Sequence, residues 1–129
     1  MNAENNKIQK FTDLVAWQEG HKLVLMIYKE TKNFPAEEKY GLIDQMRRAV
    51  VSFTSNIAEG FSRKSSKEKH QFYSNAKGSM TELQSQLLVA KDVGYLPKEI
   101  FNDIVQQSIN ANRLLSGLMT ATRQRRYES

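Results

Sequence analysis

The chain has 129 residues, a net charge of +5 and no cysteine, so one domain over residues 1–129 is expected and disulfides, thiolate chemistry and cysteine-based zinc sites are excluded. The longest apolar run, Leu23 to Tyr28, is far short of the roughly 20 residues a membrane span requires. Met1 to Lys10 is polar, with no apolar leader, so a cytoplasmic location is expected, and a pI near 9.5 favours anionic partners.

Two prolines and six glycines interrupt the chain rarely, and the apolar residues recur at three- and four-residue spacings, which is helical periodicity. The first helix is predicted over about 13–32, with Leu14, Trp17, His21, Val24, Tyr28 and Thr31 on one face. Thr12 or Asp13 is placed to cap its free N–H groups. Asn33-Phe34-Pro35 ends it, because the residue before a proline is pushed out of the α region. The second helix is predicted over about 38–59, with a seam of Ile43, Met46, Val50, Phe53 and Ile57. Gly60 stands where a left-handed residue would terminate it.

Ser65-x-x-Glu68 reads as a capping box that opens the third helix, predicted over about 66–93. Tyr73, Ala76, Met80, Leu83, Leu87 and Ala90 form its seam, Gly78 reads as a close-packing point, and Gly94 ends it. Pro97 suits the first turn of a fourth helix over about 98–123, whose seam is Ile100, Ile104, Ala111, Leu115 and Leu118. Four helices with short connections give an all-α, antiparallel up-and-down four-helix bundle, with Trp17, Val50, Phe53, Met80, Leu83 and Leu115 in its core.

Further apolar residues lie off these seams: Leu23, Leu25, Ile27, Val51, Leu88, Val89, Val105, Ile109 and Met119. Either the core stripe is wide, or part of this surface packs against another copy. On the second helix, opposite its seam, Arg48, Ser52, Ser55 and Glu59 are spaced four, three and four apart. That is either a solvated face or one that admits a neighbouring helix closely.

Catalytic chemistry is not indicated. His21 falls on an apolar seam, where a hydrogen-bonded core or boundary histidine is expected, and His70 falls in a polar first turn. No Glu-x-x-His pair is present to hold a di-iron site, no glycine-rich loop cradles a phosphate, and no serine has a histidine and an acid at recognisable spacing. Asp44, Glu59 and Glu82 are isolated carboxylates on helices. No enzyme activity, cofactor or metal is expected.

Up-and-down topology sorts the charge. The chain start, the connection between the second and third helices, and the chain end must share one end of the bundle. There Lys7, Lys10, Arg63, Lys64, Lys67, Lys69, Arg123, Arg125 and Arg126 face Glu4, Asp13, Glu59, Glu68 and Glu128, an excess of four positive charges. The opposite end carries one net negative charge. Arg63, Lys64, Lys67, Arg123, Arg125 and Arg126 are thus the candidate contacts to nucleic-acid phosphates, which bind cations through counterion release. Few aromatic or amide side chains accompany them, so sequence readout is not expected. The competing account is that these cations only solubilise the protein or favour helix C-termini.

Three stretches resemble a known family: Phe11-Thr-Asp-Leu-Val-Ala-Trp-Gln18; Tyr40-Gly-Leu-Ile-Asp-Gln-Met-Arg-Arg-Ala49 with Ser55-Asn-Ile-Ala-Glu-Gly-Phe-Ser-Arg63; and Ala76-Lys-Gly-Ser-Met-Thr-Glu-Leu-Gln84 through Gly94-Tyr-Leu96. The chain is similar to the bacterial four-helix-bundle proteins encoded within intervening sequences of 23S rRNA genes, labelled the S23 ribosomal protein family. The resemblance covers about residues 11–96. It implies a four-helix bundle and a ring-shaped homo-oligomer, but no structural role in the ribosome. It extends to the accessory variability proteins of diversity-generating retroelements, which form five-membered rings that bind nucleic acid and a reverse transcriptase. By this resemblance Arg47, Arg48, Glu59, Gly60, Arg63 and Glu82 match a polar family motif, and a buried pairing of Arg47 or Arg48 with Glu82 is one structural role for it. Two functions therefore stand: a non-enzymatic nucleic-acid-binding accessory protein that self-assembles, and an assembly scaffold that binds another protein.

Overall fold

A computed structural model describes residues 7–128, with side chains through Gln124. Four helices carry the chain: α1 (Val15–Thr31), α2 (Leu42–Ser62), α3 (Ser66–Asp92) and α4 (Lys98–Glu128). Short 3-10 turns at Phe11–Asp13 and Ala36–Glu38 precede α1 and α2. Among the described residues there is no strand. No described helix is long and apolar enough to cross a membrane.

The helices run alternately up and down, and each packs on its chain neighbours while α4 closes against α1. Cross-helix contacts fix the register. A Cβ on Gly20 would fall against Phe53, and Arg47 bonds the end of α1. Ser52 Oγ lies 2.8 Å from Ser79 Oγ. Lys77 donates to the Ser116 hydroxyl, and Gln84 donates to Ser108 Oγ at 3.2 Å. Gln107 Nε2 donates to the Glu19 carbonyl at 2.8 Å. Each pair falls where antiparallel helices rising about 1.5 Å per residue put it.

The predicted seams of α2 and α3 are the buried faces of those helices. Val50, Phe53, Met80, Leu83 and Leu115 are each sealed from solvent. Trp17 differs: it is half-buried, with Phe11 against its edge and His21 stacked on it at 4.8 Å between ring centroids. The buried face of α1 is Ala16, Gly20, Leu23, Val24, Ile27 and Thr31, rotated from the predicted one, so His21 and Tyr28 are exposed. Leu23 and Ile27 are therefore core. Leu25, Val51, Leu88, Val89 and Ile109 remain exposed, while Val105 and Met119 pack partly buried against the core.

The punctuation also differs in places. Asp13 does not cap α1; its carboxylate accepts the N–H groups of Gln9 and Lys10 at 3.0 and 3.1 Å and so caps the preceding turn. Pro35 opens a 3-10 turn, and α2 begins only after Gly41. Gly60 does not end α2. It is a buried helical residue, pressed so closely by Tyr73 that a Cβ there would lie 2.6 Å from the ring. Gly94 does end α3, at φ +90°, where glycine avoids the Cβ strain. Ser65 caps α3, accepting the Glu68 N–H at 3.1 Å while its hydroxyl meets the Glu68 carboxylate at the same distance. α4 runs to Glu128, past its expected end near 123.

Gly78 is not a packing point: neither it nor Gly117 has an atom within 4 Å of where a Cβ would stand. Alanine at either site loses less backbone freedom on folding and meets nothing. Each substitution is expected to raise stability by about 0.5–1 kcal/mol, read as a higher urea midpoint at unchanged slope. A lower midpoint would mean that these helix faces are covered.

Candidate nucleic-acid interface

The start of the described chain, the α2–α3 connection and the last turns of α4 meet at one end of the bundle. Ile8, Leu14, Phe61, Lys69, Tyr73, Leu118 and Thr122 line a shared cleft there. The chain leaves α2 through Arg63 in extended conformation, so one short link turns it into α3. That link and the first turn of α3 carry Arg63, Lys64 and Lys67, and α4 brings Arg123 alongside, with Nη2 3.4 Å from the His70 ring nitrogen.

Among the described side chains, the three acids at this end are each engaged locally. Asp13 receives two backbone N–H bonds, which hold its carboxyl below the usual carboxylate range. Glu68 belongs to the cap of α3. Glu59 pairs with Arg63 at 3.0 Å. Arg63 is correspondingly less available than its neighbours, and its guanidinium also lies 4.6 Å above the Phe72 ring. Lys69 is drawn inward, donating to the Phe61 carbonyl at 2.7 Å and the Gly60 carbonyl at 3.4 Å, where a cation complements the negative end of α2. Lys10, Lys64, Lys67 and Arg123 are exposed, and none forms an ion pair among the described residues. Arg125 and Arg126 belong to the last turns of α4, but their side chains lie outside the described residues.

The remaining motif residues divide. Arg47 does not pair with Glu82. Its Nε donates to Thr31 Oγ1 at 2.9 Å and its Nη2 to the Tyr28 carbonyl at 3.3 Å, with the guanidinium 4.5 Å over the Tyr28 ring. The side chain turns toward α1, whose last turn offers unsatisfied carbonyls, rather than toward α3. Glu82 instead accepts from Gln86 at 3.2 Å. Arg48 is exposed and, with Tyr28, Asp44, Arg47, Val51, Ser52 and Ser55, lines an open groove of about 530 Å³. Gly60 packs closely against Tyr73. Two of these features are not visible in the spacing of residues: Lys69 as a carbonyl partner, and the Tyr28 wall of the groove, which requires α1 and α2 side by side. Among the described residues no cluster of potential ligands can hold a metal ion.

Residues 12–117 match the family of 23S rRNA-intervening sequence proteins. The chain belongs to that family. A 23S rRNA-intervening sequence protein is thus expected to share its fold with other S23 proteins. A solved structure of a protein with unknown function from the S23 ribosomal protein family of Bacteroides thetaiotaomicron has a TM-score of 0.72 at 20% identity, covering 81% of this chain and 97% of that one. At that identity the likeness establishes the four-helix fold of this 23S rRNA-intervening sequence protein and nothing of its activity. No protein of curated function matches the chain.

Proposed function

We propose that this protein is a non-enzymatic accessory factor that binds RNA or DNA backbone through the basic end of a homo-oligomer. The observation that carries the reading is the unequal use of charge at that end. Asp13, Glu59 and Glu68 are engaged by local partners, while Lys10, Lys64, Lys67 and Arg123 are exposed and form no ion pair among the described residues. Four such cations on one chain bind phosphate weakly. A ring, of the five-membered kind the family resemblance implies, repeats them at one rim and converts weak contacts into avidity. A reverse transcriptase, or another nucleic-acid enzyme, is the protein partner this reading accommodates, and a cytoplasmic location suits it.

The test is salt-dependent binding to random-sequence RNA and DNA, comparing wild type with a Lys64→Glu, Lys67→Glu, Arg123→Glu variant. Arg63 is left in place because Glu59 holds it. Each lost phosphate contact lowers the slope of log affinity against log salt by about 0.7–0.9, so the variant should bind much more weakly at low salt with unchanged helicity. Equal binding by both proteins would remove the basic end from the reading. No binding by wild type near about 50 mM salt, where phosphate contacts are strong, would leave the alternative of an assembly scaffold for another protein. One observation favours that alternative: Leu88 and Val89 in the last turns of α3 and Val93 just after it are 49%, 48% and 56% exposed, an apolar surface at the end away from the basic cluster.

A further inference from the structure

The open groove of about 530 Å³ between α1 and α2 is walled by Tyr28 on one side and by residues 44–55 on the other. Its polar groups divide by what already holds them. Arg47 is committed to Thr31 Oγ1 and the Tyr28 carbonyl, and the Ser52 hydroxyl meets that of Ser79. Asp44, Arg48 and Ser55 are exposed, and their side chains make no hydrogen bond or ion pair among the described residues. Asp44 and Arg48 do not pair even though they stand one helical turn apart. Two arginines against one carboxylate leave the groove net positive.

The free groups are laid out in an order that one class of ligand shares. Asp44 stands at one end of the groove and Ser55 at the other, eleven residues or about 16 Å along α2. Tyr28 and Arg48 lie between them, since Arg47 bonds the Tyr28 carbonyl at that level. A flat ring thus has an acceptor on one side and a cation with a hydroxyl on the other. A nucleotide has the matching layout: a planar base, a hydrogen-bonding edge, and a phosphate away from that edge. Tyr28 is 39% exposed and is backed by the Arg47 guanidinium at 4.5 Å. The ring is therefore fixed before a base arrives, and stacking on it costs little side-chain freedom. The Asp44 carboxylate only accepts hydrogen bonds, and that selects the base. Guanine alone presents two adjacent donors, N1–H and the N2 amino group, on its Watson–Crick edge. Adenine and cytosine set an acceptor beside their amino group, and uracil and thymine flank their N–H with carbonyls.

We propose that this groove is a pocket for a single guanine nucleotide, in which the base stacks on Tyr28, its Watson–Crick edge donates to the Asp44 carboxylate, and its phosphate meets Arg48 and Ser55. The nucleotide is either free or one unpaired guanine of a strand, since both present the same groups. A base-paired guanine is excluded, because its donors are already used. The pocket is separate from the basic end: none of its residues is among Lys10, Lys64, Lys67 and Arg123, and it requires no particular number of chains in the assembly.

The experiment titrates isotope-labelled protein with GMP, AMP and guanosine at low salt, followed by NMR. GMP should shift the amides of residues 44–55 and bind about tenfold more tightly than AMP. Asp44→Asn should bring GMP down to the level of AMP. Arg48→Ala should weaken both nucleotides and leave guanosine unchanged. Tyr28→Ala should weaken all three ligands about tenfold, and Tyr28→Phe, which keeps the ring, should not. Ser55→Trp, at an exposed position, should fill the groove and abolish binding, with helicity and assembly mass unchanged by circular dichroism and ultracentrifugation. An oligouridylate that gains about tenfold in affinity from one unpaired guanine, but not from a base-paired one, would identify a strand as the source. No such gain beside GMP binding would identify the free nucleotide. Absent GMP binding, equal affinity for GMP and AMP, or an Asp44→Asn variant that keeps the preference would each overturn the proposal. So would a changed assembly mass for Ser55→Trp, since another copy would then cover the groove. GMP binding without binding to random-sequence RNA or DNA would remove the basic-end reading and leave this pocket standing.

Discussion

Phe53→Ala is expected to destabilise the protein by about 3–5 kcal/mol, the range for deleting a fully buried phenylalanine. Phe53 has no exposed surface and sits at the middle of α2, within the buried core. Its ring lies so close to α1 that a Cβ on Gly20 would come within 2.7 Å of it. The two helices approach there because α1 presents a glycine to the ring, so truncation leaves a cavity that neither backbone can close without shifting. Against a total stability of about 5–15 kcal/mol for a domain of this kind, the loss is large, and the melting temperature should fall by roughly 10–20 °C. Urea unfolding followed by circular dichroism measures it. A loss below about 1 kcal/mol would mean that the site collapses freely. The same geometry predicts coupling: Gly20→Ala should be harmful in the wild type and markedly less so beside Phe53→Ala.

Gly60→Ala carries the second large effect, and its sign opposes the usual expectation. In an exposed helix interior the change gains about 0.5–1 kcal/mol. At Gly60 the new methyl would lie 2.6 and 2.8 Å from two carbons of the Tyr73 ring and 3.1 Å from Phe72 Cβ. Tyr73 is 1% exposed and has no room to retreat, so α2 and α3 must separate. Overpacking of this kind costs about 1–3 kcal/mol, which outweighs the propensity gain. Gly60→Asn discriminates between packing and a left-handed cap. Asparagine tolerates the left-handed region and would be mild there, whereas in a packed helix it must cost more than alanine. An asparagine variant more stable than the alanine variant would refute the packing account.

Gly60 also illustrates where sequence reading stops. A glycine at the end of an apolar seam signals a stop, and the same residue type signals close contact. Only the position of Tyr73 on the neighbouring helix decides between them. The seams of α2 and α3 were legible because Phe53, Ile57, Met80 and Leu83 are large and recur at helical spacing. The face of α1 was legible only in part: Leu14, Val24 and Thr31 are buried as expected, whereas His21 and Tyr28 are exposed. Ala16 and Gly20 face the core because they are small, which leaves almost no apolar signal, while Trp17 and His21 look like core and instead stack on each other at the boundary.

The gathering of cations at one end was legible, but not which of them are held by neighbours. Topology alone gathers Arg63, Lys64, Lys67 and Arg123 at one end. Which of them stay available depends on Glu59 reaching Arg63 and on Lys69 turning to the carbonyls of α2, details of side-chain reach that spacing does not encode. Arg47 was identified as a motif residue, but its partners on α1, Thr31 and Tyr28, lie across the turn through Pro35, and nothing in the local pattern selects them over Glu82.

The closure of α4 onto α1 has a kinetic meaning. Three of the four helix contacts join segments adjacent along the chain, so their loops close cheaply and early. The fourth joins residues such as Glu19 and Gln107, 88 positions apart, and can form only when the other helices have brought the two ends of the chain together. Loop-closure entropy makes it the seam expected to close last. An opened α1 or α4 finds the same vacancy in any other opened copy. Exchange of a terminal helix between chains is therefore the characteristic route by which this bundle would misassemble at high concentration.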